Sequence, residues 1–137
     1  DAGIEFHRDV ILLANADEET GSLSSAPLIA ELVAEACLGM DTLVHVAALH
    51  GAAWQAAGDH ALFEVNVTGT HNILEGARKA GVRRVVFTSS INATGRTPMP
   101  APYLPIDEDL PREPMDLYGL SKKLGEQMYA QAQAEGE

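Results

Sequence analysis

Residues 66–90 read NVTGTHNILEGARKAGVRRVVFTSS, a stretch of helical periodicity that runs into one of strand periodicity. Counting back a few residues, Leu62, Phe63, Val67, Thr70, Ile73, Leu74 and Ala77 share one face at helical spacing, which predicts an amphipathic helix over residues 60–80. Lys79, Ala80 and Gly81 end it with a cation and a glycine suited to a C-cap. Asn66 and Asn72 interrupt the apolar pattern, and an amide inside a packed helix either turns to water or is held by hydrogen bonds. The run RVVFTS, residues 84–89, then predicts a buried strand, with Ser89 and Ser90 emerging at its C-terminal end.

Upstream, TLVHVAA at residues 42–48 is a second near-continuous apolar run. Such a run predicts a strand buried on both faces, as in a parallel sheet covered by helices. The order strand, helix, strand, helix predicts right-handed crossovers and an α/β fold with a parallel sheet. Ligands of such sheets bind outside the carboxyl ends of the strands, where the small residues Ala47, Ala48 and Gly51 and the pair Ser89 and Ser90 fall. Small side chains there let a ligand approach the backbone, although a plain tight turn would have the same composition.

Toward the N-terminus, Ile4 to His7 and Val10 to Leu13 are short apolar runs that predict at least one further strand. Ser24 or Ser25 can cap a helix starting beside Pro27, and Leu28, Ile29, Leu32, Val33, Ala36 and Cys37 continue it until Gly39. On the other side, residues 92–116 carry Pro98, Pro100, Pro102, Pro105, Pro111 and Pro114, the mark of a functional loop rather than a passive connector. It ends at Asp116, a fair N-cap for a helix reading LYGLSKKLGEQM over residues 117–128. Tyr118 and Lys122 are four apart and share one face of that helix. A phenol titrates near pH 10 in water, and a neighbouring cation favours the phenolate, which brings proton transfer near neutral pH within reach.

Composition narrows the function classes. The chain has 137 residues, enough for one domain with a real core, and a formal net charge of -11. That field would repel nucleic acid and anionic membranes, so neither is expected as a partner, and an anionic small molecule would need local donors. The single Cys37 cannot form an internal disulfide, and no apolar run is long enough to span a bilayer. His45 lies inside an apolar strand and reads as a hydrogen-bonded core residue, while His50, His60 and His71 show no ligand spacing, so no metal site is expected. Trp54 either caps the small-residue turn or packs.

Taken together, VHVAALHG at residues 44–51, the stretch at residues 66–90 and PIDEDLPREPMDLYGLSK at residues 105–122 resemble the extended short-chain dehydrogenase/reductase family, in its NAD(P)-dependent epimerase/dehydratase branch. The resemblance covers roughly residues 41–131. It implies a Rossmann-like doubly wound parallel sheet and a cytoplasmic enzyme using NAD or NADP on a sugar, sugar nucleotide or related hydroxyl or keto compound, with a homodimeric full-length parent. By the same resemblance Tyr118 is the catalytic acid/base, and Lys122 binds the nicotinamide ribose and assists the phenol. Ser90 hydrogen-bonds the reacting oxygen, and Asn66 positions the lysine. Ala47, Ala48, Leu49, Asn66, Ser89, Tyr118 and Lys122 would contact the cofactor, and Asp9 would touch its adenine, with Ser22 as the competing alignment for Asp9.

Two departures shape what is expected. No Gly-rich phosphate turn precedes a helix in these residues, nor does the acid that would bind an adenosine ribose. The chain therefore reads as a partial NAD(P)-binding domain over residues 1–137, from strand three to the Tyr/Lys helix, with an incomplete sheet. Ser90, Ile91 and Asn92 lack the acidic pair of sugar-nucleotide dehydratases, which favours epimerase or simple dehydrogenase chemistry. A dinucleotide-sensing regulatory protein of the same fold is the alternative, and such proteins usually lose the Tyr and the Lys that this sequence keeps.

Overall fold

A computed structural model describes residues 12–13, 26–95 and 100–136. Three strands, β1 (Leu12–Leu13), β2 (Thr42–His45) and β3 (Arg84–Phe87), form a parallel sheet in the order β1-β2-β3. The register sets Thr42 opposite Arg84 and His45 opposite Phe87. Leu12 and Leu13 pair with Val44 and His45, so the segment of residues 10–13 does supply a strand, and it occupies the edge of β2 away from β3. Residues 4–7, Asp9, Ser22, Ser24 and Ser25 lie outside the described residues.

Helix α1 (Ala26–Ala36) precedes β2. Between β2 and β3 come α2 (Gly51–Ala57), α3 (Asp59–Phe63), a π-helical segment (Glu64–Thr68) and α4 (Gly69–Lys79). The single helix predicted over residues 60–80 is thus one continuous path that widens around Asn66, since a π segment inserts extra backbone into a helix. After β3, Ser90 caps a short 3₁₀ turn (Ile91–Thr94) by accepting from Asn92 N at 3.2 Å. The proline-rich connection, described from residue 100, has no regular structure before α5 (Leu117–Gly136). Leu110 anchors it at 1% exposure.

Val33 and Cys37 from the α1 side, Leu43 of β2, and Ile73 and Ala77 of α4 make the main apolar cluster, with Val85 of β3 against it. The α1 stripe is narrower than its sequence suggests, because Leu32 points to solvent while Ala30, Val33 and Cys37 are buried. Farther along the same sheet face, Phe87 meets α5 at Gly125, where an added Cβ would lie 2.5 Å from the ring. Helices α1, α4 and α5 therefore all stand on the face that carries Leu43, His45, Val85 and Phe87.

The opposite face departs from the expected doubly covered strands. Val46 and Val86 are 44% and 52% exposed, and β3 alternates between exposed and half-buried residues. Side chains alternate across a strand, so this face leaves every second residue of β3 in water and every second residue of β2 half-buried. The architecture is α/β and Rossmann-like, with an incomplete parallel sheet.

Candidate active site

The first turns of α5 are fixed from three directions. Asp116 caps the helix, its Oδ1 accepting from Gly119 N at 2.6 Å while Oδ2 accepts from Asn92 Nδ2 at 3.3 Å. Gly119 is required by close approach, because a Cβ there would run into the Asn92 carbonyl. The loop is latched one turn beyond: Arg112 Nε donates to Glu126 Oε2 at 2.9 Å, and Lys123 Nζ donates to the Arg112 carbonyl at 2.8 Å. Glu126 also accepts from Ser89 Oγ at 2.5 Å, so the Ser89 hydroxyl proton serves this latch and its oxygen remains only as an acceptor.

Lys122 is 4% exposed, and its Nζ donates to the Thr88 carbonyl at 2.8 Å. The ammonium lies 4.9 Å from the Phe87 ring centroid and 5.9 Å from that of Tyr118, so the expected juxtaposition of phenol and cation is present. No carboxylate pairs with it among the described residues, and burial alone pushes its pKa below the ordinary lysine value. A buried cation without a counter-ion is costly, and such groups cluster at functional sites. The Tyr118 hydroxyl makes no hydrogen bond within the described residues, to Ser90 or to any other group. Ser90 instead sits at the end of the 3₁₀ turn, and Asn92, two residues on, borders the same pocket as Tyr118.

Asn66 is 4% exposed and fully engaged. Its Oδ1 accepts from Leu49 N at 2.6 Å, and its Nδ2 donates to the Leu49 carbonyl and to Ser121 Oγ, each at 3.0 Å. Ser121 Oγ in turn donates to the Tyr118 carbonyl at 2.7 Å. One side chain thus holds the turn after β2 against the tyrosine helix. Ala47 and Ala48 extend no side chain beyond Cβ in that turn, and Leu49 is buried with both its backbone groups used by Asn66. Asn72 is buried as well, yet its amide makes no hydrogen bond among the described residues.

His45 is the core histidine that its strand predicts: 2% exposed, with Nδ1 2.8 Å from Tyr129 Oη. Burial, then the charge of Lys122, lowers its pKa to about 4. Burial raises that of Tyr129. No group of ligating side chains that could hold a metal occurs among the described residues.

Sequence reasoning overlooked Ser121, Glu126 and Tyr129. The signal was there: Tyr118, Lys122, Gly125 and Tyr129 recur at four, three and four residues, a single stripe along α5. It also overlooked an open pocket of about 260 Å³ lined by His50, Gly51, Trp54, Gln55, Asn92, Asp116 and Tyr118, for which no local spacing rule exists.

Comparison with known proteins identifies the family and the fold. The model of the 3-beta hydroxysteroid dehydrogenase/isomerase family matches residues 28–136. A ketoreductase of Stigmatella aurantiaca acting on a farnesylated dihydroquinoline oxide is 32% identical over 138 residues, covering 94% of this chain and 39% of that protein. A putative UDP-glucose 4-epimerase of Methanocaldococcus jannaschii is 47% identical over 64 residues, which is 47% of this chain and 20% of that one. Among solved structures, UDP-glucose 4-epimerase from Stenotrophomonas maltophila, with bound NAD and a UDP-sugar, superposes with TM-score 0.67 at 27% identity over 85% of this chain and 33% of that one. A short-chain dehydrogenase/reductase protein from Agrobacterium tumefaciens, with bound NAD, does so with TM-score 0.61 at 37% identity, over 71% of this chain and 28% of its own. The chain spans well under half the length of each of these relatives. With a parallel sheet, a tyrosine and a buried lysine one turn apart, and a family match over most of its length, the chain belongs to the 3-beta hydroxysteroid dehydrogenase/isomerase family, among the extended short-chain dehydrogenases/reductases of the NAD-dependent epimerase/dehydratase type.

Proposed function

We propose that this chain carries the proton-transfer half of an NAD(P)-dependent oxidoreductase or epimerase acting on a sugar, sugar nucleotide or related hydroxyl or keto compound. One observation carries the reading: among the described residues the Tyr118 hydroxyl has no partner and the buried ammonium one helical turn away has no counter-ion. A structural tyrosine and lysine would have no reason to bear that cost.

The residues present fit the nicotinamide end of a dinucleotide. Lys122 spends one donor on the Thr88 carbonyl and keeps two for a ribose diol, and Ala47 and Ala48 extend nothing beyond Cβ over the turn whose Leu49 backbone Asn66 already holds. NAD is the form that the solved relatives carry. When bound, the nicotinamide takes up and returns the hydride. Tyr118 gives or accepts the proton at the substrate oxygen, and Ser90 supports that oxygen once its hydroxyl rotates. Lys122 binds the ribose and places a positive charge beside the phenol, while Asn66 and Ser121 keep helix and turn in register.

The test is a pair of substitutions in the natural full-length protein. Tyr118→Phe keeps the ring and removes the acid/base, so turnover falls by roughly 10²- to 10⁴-fold while NAD affinity changes little. Lys122→Met weakens both NAD binding and rate, yet thermal stability is retained, because no carboxylate loses a partner. Near-normal turnover of the Phe variant would sink the catalytic role and leave a dinucleotide sensor as the better reading.

A further inference from the structure

Lys122 and Glu126 are four residues apart on α5, a spacing at which a lysine and a glutamate ordinarily pair. Both reach the same end of β3. Lys122 Nζ donates to the Thr88 carbonyl at 2.8 Å, and Glu126 Oε1 accepts from the hydroxyl of the next residue, Ser89, at 2.5 Å. Yet the two charges form no ion pair, and the second oxygen of Glu126, Oε2, is held instead by Arg112 Nε at 2.9 Å. Arg112 is itself tied down, its Nη1 donating to the Glu108 and Leu110 carbonyls, and Leu110 is the buried anchor of the proline-rich connection. The carboxylate is thus restrained from two sides, by Ser89 at the sheet and by Arg112 from the connection.

We propose that Arg112 is a positioning residue that keeps Glu126 away from Lys122, so that the ammonium stays without a counter-ion, its charge available to the Tyr118 phenol and to a cofactor ribose. Hydration explains why a restraint is needed. Lys122 is buried, whereas the Arg112 side chain is 32% exposed. A released carboxylate one turn away gains more from the drier charge, because Coulomb attraction strengthens where water is excluded. The other acids on elements packed against α5 do not take that place: Asp59 accepts from Trp54 Nε1, Glu75 pairs with Arg78, Asp116 caps the helix, and Glu64 of the π-helical segment makes no ion pair with Lys122. Of the bases, His45 is neutral down to about pH 4, and the His50 ring lies 5.8 Å from that of Tyr118, centroid to centroid. Lys123 is engaged by the Arg112 carbonyl, which remains whatever side chain stands there. This inference rests on the roles proposed for Tyr118 and Lys122, and it names what preserves the charge between them.

The experiment compares Arg112→Gln with the double variant Arg112→Gln/Glu126→Gln in the natural full-length protein, by NAD titration and by the pH at which the phenol ionises. That ionisation is read as the ultraviolet phenolate absorbance present in each protein and absent from its Tyr118→Phe counterpart, so neither readout needs a substrate. In Arg112→Gln the freed Glu126 folds back on Lys122. NAD affinity is expected to fall about tenfold, the worth of one charge-assisted hydrogen bond, and the ionisation midpoint to move alkaline by about one pH unit as the neighbouring cation is neutralised. The double variant should restore both, because an amide at position 126 carries no charge to set against Lys122 while its oxygen still accepts from Ser89. A purely structural latch gives the opposite order, with the double variant at least as impaired as the single one, and that result overturns the proposal. Unaltered NAD affinity and an unmoved midpoint in Arg112→Gln overturn it as well. Turnover of Tyr118→Phe, measured in parallel, keeps the two ideas apart. If it collapses while Arg112→Gln behaves as wild type, only the role of Arg112 falls; if it persists, the proton-transfer reading falls, and with it the purpose assigned to Arg112.

Discussion

Leu43 and Val44 are consecutive on β2, yet they meet different surroundings. Leu43 is 2% exposed beneath α1 and α4, whereas Val44 shares its face with Val86, which is 52% exposed across the register. All the titratable groups of interest, His45, Lys122 and Tyr129, belong to the covered face. The reason is electrostatic. Perturbing a lysine or a histidine requires removing it from water, and only the face under α5 does that. Exposed apolar residues on the other face cost stability without shaping chemistry.

This contrast can be broken most severely from the covered side. Leu43→Ala should destabilise the fold by about 2–5 kcal/mol, measured by denaturant unfolding, because the space it leaves is walled by two helices and cannot collapse. A loss under 1 kcal/mol would mean that the cluster is not closed. A smaller effect comes from His45, whose folded pKa of about 4 lies below its ordinary 6.5. Its lowered pKa means that the folded state resists a proton which the unfolded chain accepts. The stabilising term is therefore complete above pH 6.5 and is lost as pH falls through that value toward 4. Thermal melting across this window should show a steeper decline for the wild type than for His45→Asn, and parallel slopes would exclude a buried neutral histidine.

The smallest effect belongs to the uncovered face. Val86→Thr keeps the β-branched shape on a half-wet strand, so stability should stay within about 0.5 kcal/mol of the parent. Binding of a hydrophobic dye by the 137-residue chain should nevertheless drop, since Val44, Val46 and Val86 form the apolar stretch that is open to it. Unchanged dye fluorescence would assign that signal to another surface, such as Leu104, 81% exposed in the proline-rich loop.

How much of this was written locally differs between elements. The strands at residues 42–48 and 84–89 were legible as apolar runs, and both begin where expected, at Thr42 and Arg84. Their one-sided burial was not, because an apolar run states that a strand prefers burial and not which helices arrive to provide it. The cap at Asp116 and the pairing of Tyr118 with Lys122 depend on spacings of a few residues, and the structure has both. The π-helical widening around Asn66 had no such signal. It coincides with an amide that Leu49 and Ser121, distant in sequence, both engage. His50 was dismissed on ligand spacing, a criterion for metals that is silent about a neighbour sixty-odd residues away across a pocket.

The amide of Asn66 has a consequence for the order of events in folding. It closes a loop of 17 residues back to Leu49 and one of 55 forward to Ser121, so its two partners arrive at different entropic cost. The shorter closure can form while β2 and the helices after it are still a local unit. The longer one waits for β3, the proline-rich connection and α5 to be in place. Until then the turn has shape but no phenol beside it, and the tyrosine helix has no reference for its axial position. The placement of Tyr118 against the turn after β2 is consequently a late product of assembly, reached only when the last helix docks.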